Sequence, residues 1–148
     1  MIDPSFCVRS NTLIGSNPRF DQFITDHRWA NLTCLRQDGT PVNSLVAYAR
    51  EGDTLVVSTP GATFKRRAIA RDARVNLCAF TDQAPFNFVA VEDRAAIETE
   101  QVEKATRAVF ANIEGSGFTL PDDLPGWLRA QARVIIRIYP TRVSGVIR

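Results

Sequence analysis

Trp29-Ala-Asn-Leu-Thr-Cys-Leu-Arg36, then Gln37-Asp-Gly-Thr40, then Pro41-Val-Asn-Ser-Leu-Val-Ala-Tyr-Ala-Arg50: two strand-like stretches flank an Asp-Gly pair. Asp38-Gly39 is a strong signal for a tight hairpin between them. Glu51-Gly52-Asp53 turns the chain again, and Thr54 to Ser58 reads as a third strand. Consecutive strands with short turns predict an antiparallel meander and exclude alternating βαβ units.

Upstream, Ser16-Asn17-Pro18 is a helix start, with a capping side chain followed by proline at the first helical position. The helix runs from Pro18 to His27 and places Phe20, Phe23 and Ile24 on one face. Residues 1 to 16 read as a flexible arm. Downstream, a short helix is expected over Ala62 to Arg71 and a strand over Arg74 to Thr81. A turn at Asp82 to Pro85 leads into a long strand from Phe86 to about Thr99. Gln101 to Ile113 is helical, with Val102, Ala105, Val109 and Ile113 on one face, and Gly115 ends it. Ser116 to Pro125 reads as a loop and Trp127 to Gln131 as a short helix. Arg133 to Tyr139 is the last strand, with Val134, Ile136 and Ile138 facing one way and Arg133 and Arg137 the other. About six strands must close their sheet or pair its edges, so a small barrel is expected.

The 148 residues suit one domain spanning 1–148, and 45% hydrophobic with 23% charged residues exclude a disordered chain. A net charge of +2 is too small for a nucleic-acid binder, so a cationic site must come from local clustering. Cys7, Cys34 and Cys78 lack metal-ligand spacing, and His27 is the single histidine. Cys34 and Cys78 read as buried thiols. No signal peptide or membrane-spanning run is visible, so a cytoplasmic protein is expected.

The chemistry concentrates in Val57-Ser-Thr-Pro-Gly-Ala-Thr-Phe-Lys-Arg-Arg67, which leaves a strand, turns and enters a helix. Ser58, Thr59 and Thr63 offer hydroxyls, Gly61 permits close backbone approach, and the helix start presents free N–H groups. Lys65, Arg66 and Arg67 crowd that start, where the helix dipole disfavours each cation by roughly 0.3–1 kcal/mol. No acid lies between Val57 and Ala70. The stretch is either a phosphate site or a solvated turn balanced by Asp72. Neither a Walker loop nor a dinucleotide fingerprint is present. Small and polar residues at Thr40 to Ser44 open the second strand, so a ring lying across it and the third strand meets Ser44 and the backbone of Leu45 and Val46. His27 has no triad partners, and Glu92 and Asp93 face opposite ways along a strand. Trp127 reads equally as core or as a lid.

The order of these features resembles the pyridoxamine phosphate oxidase-like split barrels, and within them the coenzyme F420-dependent group. The matching stretches are His27-Arg-Trp-Ala-Asn-Leu-Thr33, Asp38-Gly-Thr-Pro41, Ser58-Thr-Pro-Gly-Ala-Thr-Phe-Lys65 and Arg71-Asp-Ala-Arg-Val-Asn-Leu77. They continue with Phe88-Val-Ala-Val-Glu92, Arg107-Ala-Val-Phe-Ala-Asn-Ile113, Arg133-Val-Ile-Ile-Arg137 and Arg142-Val-Ser-Gly145. The resemblance implies a six-stranded split barrel, a homodimer, and two cofactor sites at the dimer interface. It carries the phosphate-holding role onto Lys65 and cofactor contacts onto Ser58, Thr59, Pro60, Thr63, Phe64 and Arg66. Ser44, Leu45 and Val46 fall where the ring lies. Phe86, Asn87 and Trp127 fall on stretches usually contributed by the partner subunit. Some relatives have an arginine two positions before the lysine; here that position is Thr63, and the arginines follow the lysine instead.

The expected function is an F420-dependent reductase acting on an unsaturated or quinone-like small molecule, with no catalytic side chain assigned. The alternatives are an FMN enzyme of the oxidase type and a non-catalytic protein binding F420 or haem.

Overall fold

The computed structural model describes residues 13–148. Helix α1 (Pro18–Asp26) precedes strands β1 (Trp29–Leu35), β2 (Pro41–Ala47), β3 (Ala49–Glu51) and β4 (Thr54–Thr59). Then come α2 (Phe64–Arg71), β5 (Arg74–Phe80), β6 (Phe88–Glu98), α3 (Val102–Asn112), α4 (Leu124–Ala130) and β7 (Val134–Val146). The strands form one antiparallel sheet in the order β2-β1-β5-β6-β7-β4-β3. The sheet curls around its core as a split barrel, as expected. The first twelve residues of the expected arm lie outside the described residues. Of its last four, Ile14 is buried and its N–H donates to Asp21 Oδ1 at 2.8 Å.

The β1–β2 hairpin closes through Arg36 N–H to Thr40 O (2.8 Å) and Gly39 N–H to Arg36 O (2.9 Å). Gly39 has φ +88°, the left-handed conformation that such a loop requires of its last residue. The second expected strand does not run on to Arg50. It breaks at Tyr48, whose hydroxyl donates to Ile24 O at 2.7 Å and whose N–H donates to Arg28 O at 3.0 Å. The N–H bond keeps the β1–β2 register for one more position, and the hydroxyl bond ties Tyr48 to α1. The chain crosses there from one end of the sheet to the other: β2 pairs with β1, whereas β3 pairs with β4. Six expected strands become seven elements, and the expected meander is corrected, because β2 and β4 are not hydrogen-bonded neighbours.

Leu32, Leu55, Val57, Leu77, Val91, Ile136 and Ile138 fill the inside of the sheet under α1 and α2. Each such side chain contributes about 1.5–3 kcal/mol on burial. A second, smaller core lies on the outer side, where Ala105 and Val109 of α3 cover Ala49, Val56 and Ile135. β4 is consequently covered on both faces.

Three boundaries differ from the sequence reading. β6 starts at Phe88, because Phe86 has φ +57° and is not extended. β7 continues past Pro140 to Val146. A bulge pairs Glu92 with Arg142 and Asp93 with Pro140, which accommodates a residue that cannot donate to the ladder. α4 begins earlier than expected, since Asp123 caps it by accepting from Gly126 N–H at 3.1 Å and Pro125 lies in its first turn. Among the described residues no helix is long and apolar enough to cross a membrane.

Candidate functional site

Because the chain passes from β2 to β3 at Tyr48, β2 and β4 diverge and leave a wedge between them. A cavity of about 240 Å³ occupies it, lined by Leu45 to Ala47 on one side and Val57 to Pro60 on the other. β2 ends the sheet, so its second edge has no ladder partner among the described strands. Val109 and Phe110 of α3, with Ile113 at its C-cap, form the back wall. Trp29 and Phe118, edge to face at 6.3 Å, form the rim. An adjoining hollow of about 320 Å³ shares Phe110 and Phe118 with it.

The turn after β4 is anchored by backbone contact. Gly61 N–H donates to Gln131 O at 3.1 Å, and a Cβ on Gly61 would lie 2.4 Å from Ala132 O. The close approach that the sequence suggested at Gly61 is thus made by the chain's own residues. It docks the turn against the start of β7 and so brings Arg133 beside Ser58. Thr59 and Thr63 share a hydroxyl hydrogen bond at 3.1 Å, and Thr63 Oγ1 also donates to Pro60 O at 3.0 Å. These bonds fix the entry into α2 and present Lys65 to the cavity.

The crowded cations separate into two sets. Arg66 Nε donates to Gly61 O and Arg67 Nη1 to Ala62 O, each at 2.6 Å, so these arginines fasten the turn. Lys65 and Arg133 instead line the cavity. Lys65 is half-buried and no hydrogen bond or ion pair engages its ammonium among the described residues. Burial pushes its pKa below the ordinary lysine value; Cys34 works against that shift, and the neighbouring Arg133 charge adds to it. Arg133 donates through Nε to Ser58 Oγ at 3.1 Å and through Nη2 to Ser58 O at 3.0 Å. Its Nη1 donates to Gln131 Oε1, and its guanidinium stacks 4.2 Å from the Trp127 ring. Ser58 Oγ in turn shares a hydrogen bond with the buried Thr106 at 2.9 Å. Among the described residues no aspartate, glutamate or histidine lines the cavity.

Of the residues singled out in the sequence, Leu45, Val46, Ser58, Thr59, Pro60 and Lys65 converge on this cavity. Ser44 does not line it: it pairs with Leu32 on the row that faces the core. Thr63 and Arg66 support the turn, and Phe64 lies under Arg36, whose guanidinium is 5.6 Å from its ring. Phe86 and Asn87 lie in the β5–β6 connection and do not line this chain's own cavity; Phe86 is 60% exposed. Trp127 reaches the site within its own chain, because α4 packs on α3: it stacks on Arg133 and meets Phe110 edge to face at 6.2 Å. Sequence reasoning missed Arg133, Phe110, Phe118 and Trp29. The outward alternation of Arg133 was visible; that its outward side faces Ser58 was not. His27 belongs elsewhere, stacked on Phe23 with Nδ1 2.7 Å from Phe23 O.

An apolar, aromatic-walled slot that ends in two cations without counter-charges suits a flat ring carrying an anionic group. The sequence matches the profile of the pyridoxamine 5'-phosphate oxidase family over residues 16–147. No curated protein matches it. Among solved structures, the fold is similar to a conserved hypothetical protein from Mycobacterium tuberculosis (21% identity, 90% of this chain and 85% of that one, TM-score 0.72). It is similar to an F420 reductase (21% identity, 87% of this chain and 98% of that one, TM-score 0.71). An FAD-binding protein from Mesorhizobium loti is a further likeness (19% identity, 88% and 94% covered, TM-score 0.67). At these identities the structural likenesses establish the fold alone.

Proposed function

The chain belongs to the pyridoxamine 5'-phosphate oxidase family, and from that membership we propose an oxidoreductase that holds coenzyme F420 in the cavity between β2 and β4. The observation that carries this reading is Lys65: a half-buried ammonium without a counter-ion, at the end of a slot walled by Trp29, Phe110 and Phe118. A phosphate on the ligand supplies the missing charge. The similarity in fold to an F420 reductase supports the choice of cofactor.

Lys65 holds the phosphate, and the hydroxyls of Ser58 and Thr59 border the chain that links it to the ring. The free edge of β2 offers backbone hydrogen bonds to the ring at Leu45 and Val46. Held there by Lys65, Leu45 and Val46, reduced F420 would supply hydride chemistry toward an unsaturated or quinone-like small molecule. The protein's own contribution is positioning and exclusion of water by Val57, Val109 and Ile113. With no acid or histidine lining the cavity, the proton that completes the reduction comes from solvent.

FMN is the second reading, since a phosphomonoester satisfies Lys65 equally well. A haem is less suited to this slot, whose lining among the described residues includes no histidine, cysteine, methionine or tyrosine. The reading includes a homodimer: Phe80, Phe88 and Val146 form one exposed row across β5, β6 and β7 next to Trp29. Phe86 and Asn87 then meet the neighbouring copy's cavity.

The test is turnover. Purified protein mixed with reduced F420 and a panel of enones and quinones should restore the oxidised cofactor's absorbance with at least one acceptor. Absence of turnover across the panel, with reduced FMN supporting it instead, would move the protein to the FMN reading.

A further inference from the structure

We infer that Arg133 is the second arm of the anion grip, so that the cavity selects ligands carrying two adjacent negative charges. The inference rests on the proposed cofactor reading and extends it to ligand selection.

Two arginines at the start of β7 have unlike partners. Arg133 immediately precedes the strand's first residue, Val134, and Arg137 lies within it. Both are half-buried. Arg137 is neutralised by two carboxylates, Glu98 at 2.9 Å and Glu51 at 3.4 Å, and it donates to Thr54 Oγ1 at 2.8 Å. Among the described residues the partners of Arg133 are neutral: Ser58, Gln131 and the Trp127 ring. A cation withdrawn from water is ordinarily paired. One such group is matched by acids and the other, among the described residues, is not; the unmatched one is the one that lines the cavity.

The guanidinium is also pre-aimed. Ser58 and Gln131 take three of its five N–H groups, which leaves two, and the Trp127 face holds its plane. Ser58 is itself fixed by Thr106. Lys65 lines the same cavity, and no acid there offsets either charge. Two like charges brought together without an acid are unfavourable until an anion separates them. One negative charge would balance only one of them. A phosphomonoester dianion balances both, as does a phosphodiester followed closely by a carboxylate; FMN has the first kind of head and F420 the second.

The test compares each ligand with its phosphate-free core. Dissociation constants are measured for FMN and riboflavin, for F420 and its deazaflavin core, and for inorganic pyrophosphate. The proteins are the wild type, Arg133→Gln and Arg133→Lys. The preference of the wild type for the phosphate-bearing member should fall about tenfold to a hundredfold in Arg133→Gln and be largely kept in Arg133→Lys. Core binding should stay unchanged in all three, which also reports that the variants fold. A preference that survives Arg133→Gln, or cores that weaken in parallel with the phosphate-bearing ligands, would overturn the inference and leave the cofactor reading intact. Pyrophosphate binding that depends on Arg133, with no flavin or deazaflavin bound, would sustain the grip and overturn the cofactor reading. Binding of none of the five would overturn both.

Discussion

Lys65 sits at the start of a helix whose dipole opposes it, half-buried and without an acid. Its place is explained by a ligand rather than by the fold. Lys65→Ala should therefore leave stability nearly unchanged and weaken phosphate-bearing ligands by about 1.5–3 kcal/mol, measured by titration calorimetry. The sign of the pH dependence follows from its lowered pKa. The ammonium is charged below that value and neutral above it, so affinity for FMN or F420 should be full at neutral pH and fall on the alkaline side earlier than an ordinary lysine would allow. Riboflavin affinity should be flat over the same range. Gly61 is a different kind of residue. With Ala132 O only 2.4 Å from where a Cβ would stand, Gly61→Ala must push the turn off β7. We expect a loss of about 1–3 kcal/mol in denaturant unfolding, together with weaker ligand binding, since Arg133 and Ser58 would part.

At the scale of elements, the site exists because one strand stops. Tyr48 ends the β2 ladder, bonds to Ile24 and Arg28, and accepts from Asn112 Nδ2 at 2.8 Å through its carbonyl. Tyr48→Phe removes the hydroxyl from a fully buried position and leaves Ile24 O short of a donor. A loss of about 1–2 kcal/mol is expected by chemical denaturation. Little of this break was legible beforehand, because Pro41 to Arg50 has continuous strand character and the interruption comes from partners distant in sequence. The hairpin and the strand–turn–helix were legible, since Asp38-Gly39 and Thr59-Pro60-Gly61 dictate backbone geometry locally. Pro140 misled in the opposite direction. It signals a strand end, yet the bulge opposite Glu92 and Asp93 carries β7 past it. The Asp123-Leu-Pro125 cap of α4 was a readable signal that went unread.

For the whole molecule, the curled sheet leaves an apolar outer row, Trp29, Phe80, Phe88 and Val146, running from the rim of the cavity. Leu45, 70% exposed, stands beside it on β2. Such a row on a small domain is expected to meet a second copy. Light scattering should give twice the 16.4 kDa of one chain, and Phe88→Arg should give the single-chain mass with weakened cofactor binding. The sequence reading named six of the residues that line the cavity, from β2, the end of β4 and the segment after it. It missed Arg133, Phe110 and Phe118, because periodicity says which side of an element a residue occupies and not what faces that side. The rest of the wall is largely a product of long-range packing, of α3 against β4 and β7.

The central claim is that this cavity holds a phosphate-bearing deazaflavin. The most direct measurement is a fluorescence titration of the cofactor-free protein with F420 and with FMN side by side. The account predicts saturable binding of F420, tighter than that of FMN and weakened by Lys65→Ala. Tighter binding of FMN, or the absence of saturable binding by F420, would contradict it.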